Sequence, residues 1–183
     1  VFAQGDLTST NNQLDVAIEG DGFFQVTRPD GTLSYTRAGA FRLDENGQIV
    51  SQDGFQIAPG ITIPADTLSV NVAQDGTVSV RQPGSTSDSE LGQLTAVRFS
   101  NPTGLRALGR NLYEETDASG APISGIFSEN GFGRLSQGFL ETSNVSVVEQ
   151  VVNMITAQRA YEASSKGIQT ADSMLSAAIN LKR

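Results

Sequence analysis

Carboxylates are the residues of this 183-residue chain that could most readily do chemistry, with 20 Asp and Glu against 12 Lys and Arg. There is no Cys, no His and no Trp. Thiol nucleophiles, Ser-His-Asp triads and zinc held by His or Cys are therefore excluded. A glycosidase-like pair of carboxylates is defined in space and not along the chain, so one could be present without a linear signature. Solvated acids in turns and on polar strand faces account for the same residues. Asp44-Glu45-Asn46-Gly47 begins like a calcium loop. It lacks the alternating acids and the later bidentate Glu, and reads as a hairpin turn. Gly20-Asp21-Gly22 has no third glycine and runs into Phe23-Phe24, so it cannot cradle a phosphate at a helix start. No residue is assigned a catalytic, cofactor-binding or metal-binding role, and no cofactor or small-molecule substrate is expected.

Composition narrows the class further. Hydrophobic residues make up 38% of the chain, Gly numbers 19, and no apolar run approaches the ~20 residues of a membrane-spanning helix. The net charge of −8 offers no basic patch to displace counterions, which argues against nucleic acid as a partner. No signal peptide is visible. The chain does not begin with Met, as expected of a fragment or a processed product.

The elements that would position any site are mainly β. From Leu14 the pattern has period two: Leu14, Val16 and Ile18 alternate with Asp15, Ala17 and Glu19. Gly20-Asp21-Gly22, Pro29-Asp30-Gly31, Asn46-Gly47 and Asp53-Gly54 carry turn chemistry, so Leu14–Gln56 is expected to form a β-meander. Leu68–Val72 and Thr77–Val80 flank Gln74-Asp75-Gly76 as a second hairpin, Leu94–Phe99 reads as a strand, and Gly120–Gly133 reads as loop. Strands at such intervals suggest a sandwich or barrel-like domain, and no helix is expected before Ser146.

Ser146–Leu181 is different. Every seventh residue from Val147 is large: Val147, Met154, Tyr161, Ile168, Leu175. The positions three further on are Gln150, Ala157, Ser164, Ala171 and Ala178, small after the first. This is a heptad repeat with bulky a and small d positions. Val148, Val151, Val152 and Ile155 widen the apolar face at the front. Ser146 and Glu149 form a capping box, Glu162 and Lys166 an i,i+4 pair, and Lys182 and Arg183 stand at the negative end of the helix dipole. Either the helix lies on its own domain or it packs against helices of other segments or chains. The regularity of the seam at a chain end favours the second.

One internal echo stands out. Gln4-Gly5-Asp6-Leu7-Thr8-Ser9-Thr10-Asn11 lines up with Gln137-Gly138-Phe139-Leu140-Glu141-Thr142-Ser143-Asn144. It is either a coincidence of common turn residues or a pair of matched segments side by side, one entering the middle region and one leaving it. The expected organisation is a neck segment (1–13), a β head (14–139), a second neck segment (140–145) and a coiled-coil helix (146–183).

Several of these stretches resemble bacterial flagellar rod and hook axial proteins. Met154-Ile155-Thr156-Ala157-Gln158-Arg159-Ala160-Tyr161-Glu162, with Ser143-Asn144-Val145 before it, is similar to their C-terminal signature. Asp15–Phe24 is similar to their entry strand, and Tyr35–Phe41 and Gly47–Val50 to the next elements. Ile61–Ala65 and Gly109–Tyr113 point within the family to the distal rod type, with hook or proximal rod proteins as alternatives. The resemblance implies a structural, non-enzymatic subunit, exported without a cleaved signal peptide. It implies helical stacking into the hollow, torque-transmitting shaft of the basal body, a rod that crosses the periplasm. Other copies, other rod proteins, the hook, the rod cap and surrounding rings are the implied partners. Val147, Val151, Met154, Ala157, Tyr161, Ser164, Ile168, Ala171, Leu175 and Ala178 would form the assembly interface. Members of the family begin with a long N-terminal helix bearing an Asn-Asn-x-Ala-Asn motif. No such segment is present here, as expected of a truncated fragment or of a chain from which that part was lost or not included, and the echo suits a helix that would precede Val1. A reading from another class is a secreted carbohydrate-acting β protein, which would need a cleft with two close carboxylates or an aromatic platform.

Overall fold

The computed structural model describes residues 4–85, 87–145 and 147–180, excepting the side chains of 147 and 175–180. The capping box at Ser146 and the cations Lys182 and Arg183 lie outside the described residues. The chain divides into two compact units, Val1–Ser143 and Asn144–Arg183.

The first unit is built from short strands. β1 (Leu7–Ser9), β2 (Val16–Glu19), β3 (Phe23–Thr27), β4 (Leu33–Thr36), β5 (Phe41–Leu43), β6 (Ile49–Ser51) and β7 (Gln56–Ile57) come first. β8 (Ser69–Val72), β9 (Thr77–Arg81) and β10 (Ser89–Gln93) follow. β11 (Ala96–Arg98) precedes a single 3-10 turn at Pro102–Gly104 and the hairpin of β12 (Arg106–Gly109) and β13 (Leu112–Glu114). β14 (Ile123–Gly125), β15 (Arg134–Gln137) and β16 (Phe139–Glu141) complete the series. A nine-stranded sheet runs β12-β13-β4-β3-β7-β6-β5, with β11 joining at β3 and carrying β14. A three-stranded sheet runs β10-β9-β8, and β1–β16 and β15–β2 form two-stranded sheets.

β3 is the centre because consecutive residues serve two cores, as strand alternation dictates. Phe24 meets the rings of Phe41 at 5.0 Å and Phe127 at 5.6 Å. It lies in the larger cluster with Val16, Ile18, Val26, Ile57, Val78 and Leu135. Phe23 points the other way, to Phe99 at 5.8 Å and Tyr113 at 6.1 Å, in a smaller cluster with Tyr35, Val97 and Leu105. Burial pushes the Tyr35 hydroxyl above its ordinary value, with the charge of Glu115 adding to the effect.

The meander expected over Leu14–Gln56 is only partly present. β3–β4, β5–β6 and β6–β7 pair as neighbours. β2 does not pair with β3 across Gly20-Asp21-Gly22; its partner is β15, with Ile18 opposite Leu135. Glycines permit that long-range pairing. A Cβ on Gly133 would come within 2.6 Å of the Glu19 carbonyl oxygen, and one on Gly20 within 3.1 Å of Gly133 Cα. The alternation read for β2 is also corrected: Val16, Ala17 and Ile18 are all buried, so the strand is covered on both faces. Gly120–Gly133, expected as loop, contains β14 and contributes Phe127 and Phe132 to the core.

The second unit contains α1 (Val147–Asn180), 34 residues and about 51 Å long. Glu149 occupies its first turn, where a negative charge opposes the helix dipole. Glu162 does not pair with Lys166 among the described contacts; its Oε1 accepts from Gln158 Nε2 at 3.4 Å. No helix among the described residues is long and apolar enough to cross a membrane.

Candidate functional site

The heptad residues of α1 share one physical property. Met154 is 67% exposed, Tyr161 78% and Ile168 63%, and Val151, Ala157, Ser164 and Ala171 are exposed as well. From Val148 to Met174 only Ser165 is even half-buried. Large apolar groups at seven-residue spacing therefore stand in solvent along the helix. Val147, Leu175 and Ala178 continue the same spacing, and their side chains lie outside the described residues. Three hydroxyls of the helix turn back on its own backbone: Thr156 Oγ1 donates to the Val152 carbonyl at 2.8 Å, Thr170 Oγ1 to that of Lys166 at 2.9 Å, and Ser173 Oγ to that of Gln169 at 2.6 Å. Bonded in this way, they present their carbon faces to anything that packs there.

The echoed segments meet in the first unit. β1 and β16 pair antiparallel, with Leu7 opposite Glu141 and Thr8 opposite Leu140. The fourth position of each copy thus faces the fifth of the other, which makes the ribbon locally two-fold. Threonines close both ends. Thr142 donates to the Asp6 carbonyl through N–H at 2.8 Å and Oγ1 at 2.9 Å, and Thr10 donates to that of Gly138 at 2.8 and 3.4 Å. Arg37 ties the ribbon to the β2–β3 corner. Its Nε donates to Glu141 Oε2 at 3.0 Å, Nη1 to the carbonyls of Gly20 at 3.1 Å and Gly22 at 3.2 Å, and Nη2 to that of Ile18 at 3.5 Å. Both side chains of this ion pair are largely sheltered from water, which makes it stronger than a surface pair. The sequence signals the ribbon through its repeat. Nothing local in Tyr35-Thr36-Arg37 signals the Arg37 contact.

The acids hold other groups. Asp44 Oδ1 accepts the N–H groups of Asn46 and Gln48 at 2.9 and 2.8 Å, the geometry of an Asx turn. Asp75 does the same for Thr77. Glu19 lies lower than an ordinary glutamate, held ionised first by the Ser136 hydroxyl and then by Arg134. Among the described residues no group of three or more acids stands close enough to hold a metal ion.

A β unit with its own closed core and a helix with an open apolar seam define an assembling structural protein. Residues 17–80 match the family described as "Flagellar hook protein FlgE/F/G D1 domain", and residues 136–181 that described as "Flagellar basal body rod FlgEFG protein C-terminal". A flagellar basal-body rod protein FlgG of Buchnera aphidicola is 53% identical over 175 residues, covering 96% of this chain and 67% of the relative. That of Borreliella burgdorferi is 50% identical over 185 residues, covering 100% of this chain and 70% of the relative. The flagellar hook protein FlgE of Salmonella typhimurium is more distant, at 32% identity over 90% of this chain and 41% of its own length. The chain thus spans about two thirds of the FlgG relatives, and it belongs to the FlgG family of flagellar basal-body rod proteins. That family is structural.

Proposed function

We propose that the chain is a structural subunit of the distal rod of the bacterial flagellum. Its copies stack helically into a hollow shaft that carries torque from motor to hook. The observation that carries this reading is the exposed heptad seam of α1. Burying Met154, Tyr161 and Ile168 against neighbours would contribute roughly 1.5–3 kcal/mol for each side chain. A helix in water gains most of its stability from such packing and not from propensity. Val147, Val151, Met154, Ala157, Tyr161, Ser164, Ile168, Ala171, Leu175 and Ala178 form the interface, bulky residues of one helix filling the space that small ones leave on the next. The partners are further copies, the other rod proteins and the hook, with the rod cap and the surrounding rings in contact at the end and the outside. The rod crosses the periplasm, and the subunit is exported without a cleaved signal peptide. The chain is not an enzyme: acids such as Glu19, Asp44, Asp75 and Glu141 are engaged in turns and ion pairs, and it lacks the residue types of most nucleophilic and metal-dependent chemistry.

Electron microscopy of basal bodies from cells carrying Ile168→Asp tests this reading. Rods that stop short of the distal segment are expected. Complete basal bodies with hooks attached would contradict it.

A further inference from the structure

The two glutamines that begin the echoed segments make the same contact in two places. Gln4 Nε2 donates to the carbonyl of Ile18 at 3.2 Å, and its Oε1 accepts the N–H of Gly20 at 3.0 Å. Gln137 Nε2 donates to the carbonyl of Val70 at 2.9 Å, and its Oε1 accepts the N–H of Val72 at 3.2 Å. In each case one side-chain amide bridges the C=O of residue i and the N–H of residue i+2. Those two groups project from the same side of an extended chain, where a neighbouring strand would bond them. Each glutamine thus stands in for one residue of a strand that is not there. Gln4 does so where β2 ends. Gln137 does so on the side of β8 away from β9, at an edge that would otherwise leave backbone groups open. Gln13 completes that edge, its Oε1 accepting the Val70 N–H at 2.9 Å and its carbonyl accepting from Gln137 Nε2 at 2.7 Å.

We propose that Gln4 and Gln137 are paired fasteners. They bolt the β1–β16 ribbon to two separate strands of the β unit, with the Arg37–Glu141 pair as a third tie, and together these ties fix how the ribbon is held. The ribbon's own ladder is too small to do this. It has two strands of three residues, and Phe139 and both flanks of β1 are exposed. A lone two-stranded ribbon is marginal in water. The inference rests on the rod reading for its purpose, because a subunit under torque needs a stiff connection between the chain entering α1 and the β unit. The geometry itself stands without that reading. Glutamine suits the task through reach and chemistry: glutamate lacks the donor, and methionine keeps the length but loses both donor and acceptor.

The test is residue-resolved amide hydrogen exchange on the 183-residue chain, with Gln4→Met and Gln137→Met made separately. Gly20 is expected to exchange about tenfold faster in the first and Val72 about tenfold faster in the second, the loss of one hydrogen bond. The ribbon amides of Thr10 and Thr142 should accelerate in both, while Phe24 and Val26 keep their protection. Unchanged exchange at Gly20 and Val72, or acceleration confined to them, would overturn the proposal. If a Met variant loosens Phe24 and Val26 too, the Gln→Glu variant decides, because it retains the acceptor. Thr10 and Thr142 should still accelerate there, and their unchanged protection would overturn the proposal. Short rods from Ile168→Asp cells bear on the rod reading alone, so the two can fail separately.

Discussion

The two units treat their apolar residues in opposite ways. In the β unit Phe24, Ile18, Val26 and Phe127 are fully buried, and successive residues of β3 supply cores on both faces of one strand. In α1, Met154, Tyr161 and Ile168 are more exposed than any large apolar residue of the β unit except Leu68. The first unit contains its own partners. The second displays a regular seam that stands exposed along the helix. If the seam is the assembly interface proposed above, stability of the β unit and competence to assemble are carried by different residues, and substitutions should sort accordingly.

The largest expected effect is on assembly. Tyr161→Asp should abolish swimming while leaving the melting temperature of the purified chain's β transition unchanged, read by near-ultraviolet circular dichroism. Normal swimming would remove the distinction between the two regions. Next, Phe24→Ala should destabilise the β unit by about 3–5 kcal/mol through lost transfer energy and a cavity, measured by denaturant unfolding. Its effect on assembly should follow only from loss of folded protein. Gly39→Ala should cost less, on the order of 1–3 kcal/mol. The added Cβ would stand 1.7 Å from the Val16 carbonyl oxygen, so the loop must shift to admit it. The smallest effect concerns Glu19. Its carboxyl is lowered in the folded state, so its contribution is present in full above the ordinary value of 4.5 and is lost as pH falls through the folded value. Glu19→Gln should lower the melting temperature slightly at pH 7, and the gap from the parent should close on acidification.

Legibility in the sequence followed the range of the interactions. Asn46-Gly47 and Asp75-Gly76 announce turns because their chemistry is local, and the strands beside them lie close to where alternation puts them. The heptad was legible for the same reason, being a property of spacing alone. β12, β14 and β15 were not. Each is three or four residues long, and β14 and β15 are held by partners distant in sequence. The β2–β15 pairing depends on Gly20 meeting Gly133, a contact no periodicity encodes. The echo left two readings, coincidence or matched segments side by side, and the antiparallel ladder of β1 and β16 supports the second. Arg37, which ties that ribbon down, carried no linear signal at all.

The proposed assembly requires the α1 seam to be open in the free subunit and closed in the rod. Because the chain contains no cysteine, Ala157→Cys and Ala171→Cys each introduce a unique thiol at a small seam position. Maleimide labelling of the two variants, compared between purified free chain and isolated basal bodies, reads the closure of the seam directly. Ser87→Cys in the β unit serves as the control for general reactivity. Rapid labelling of both seam thiols is expected in the free chain, and strong protection in basal bodies. Equal labelling rates at Cys-substituted 157 and 171 in the two states would contradict it.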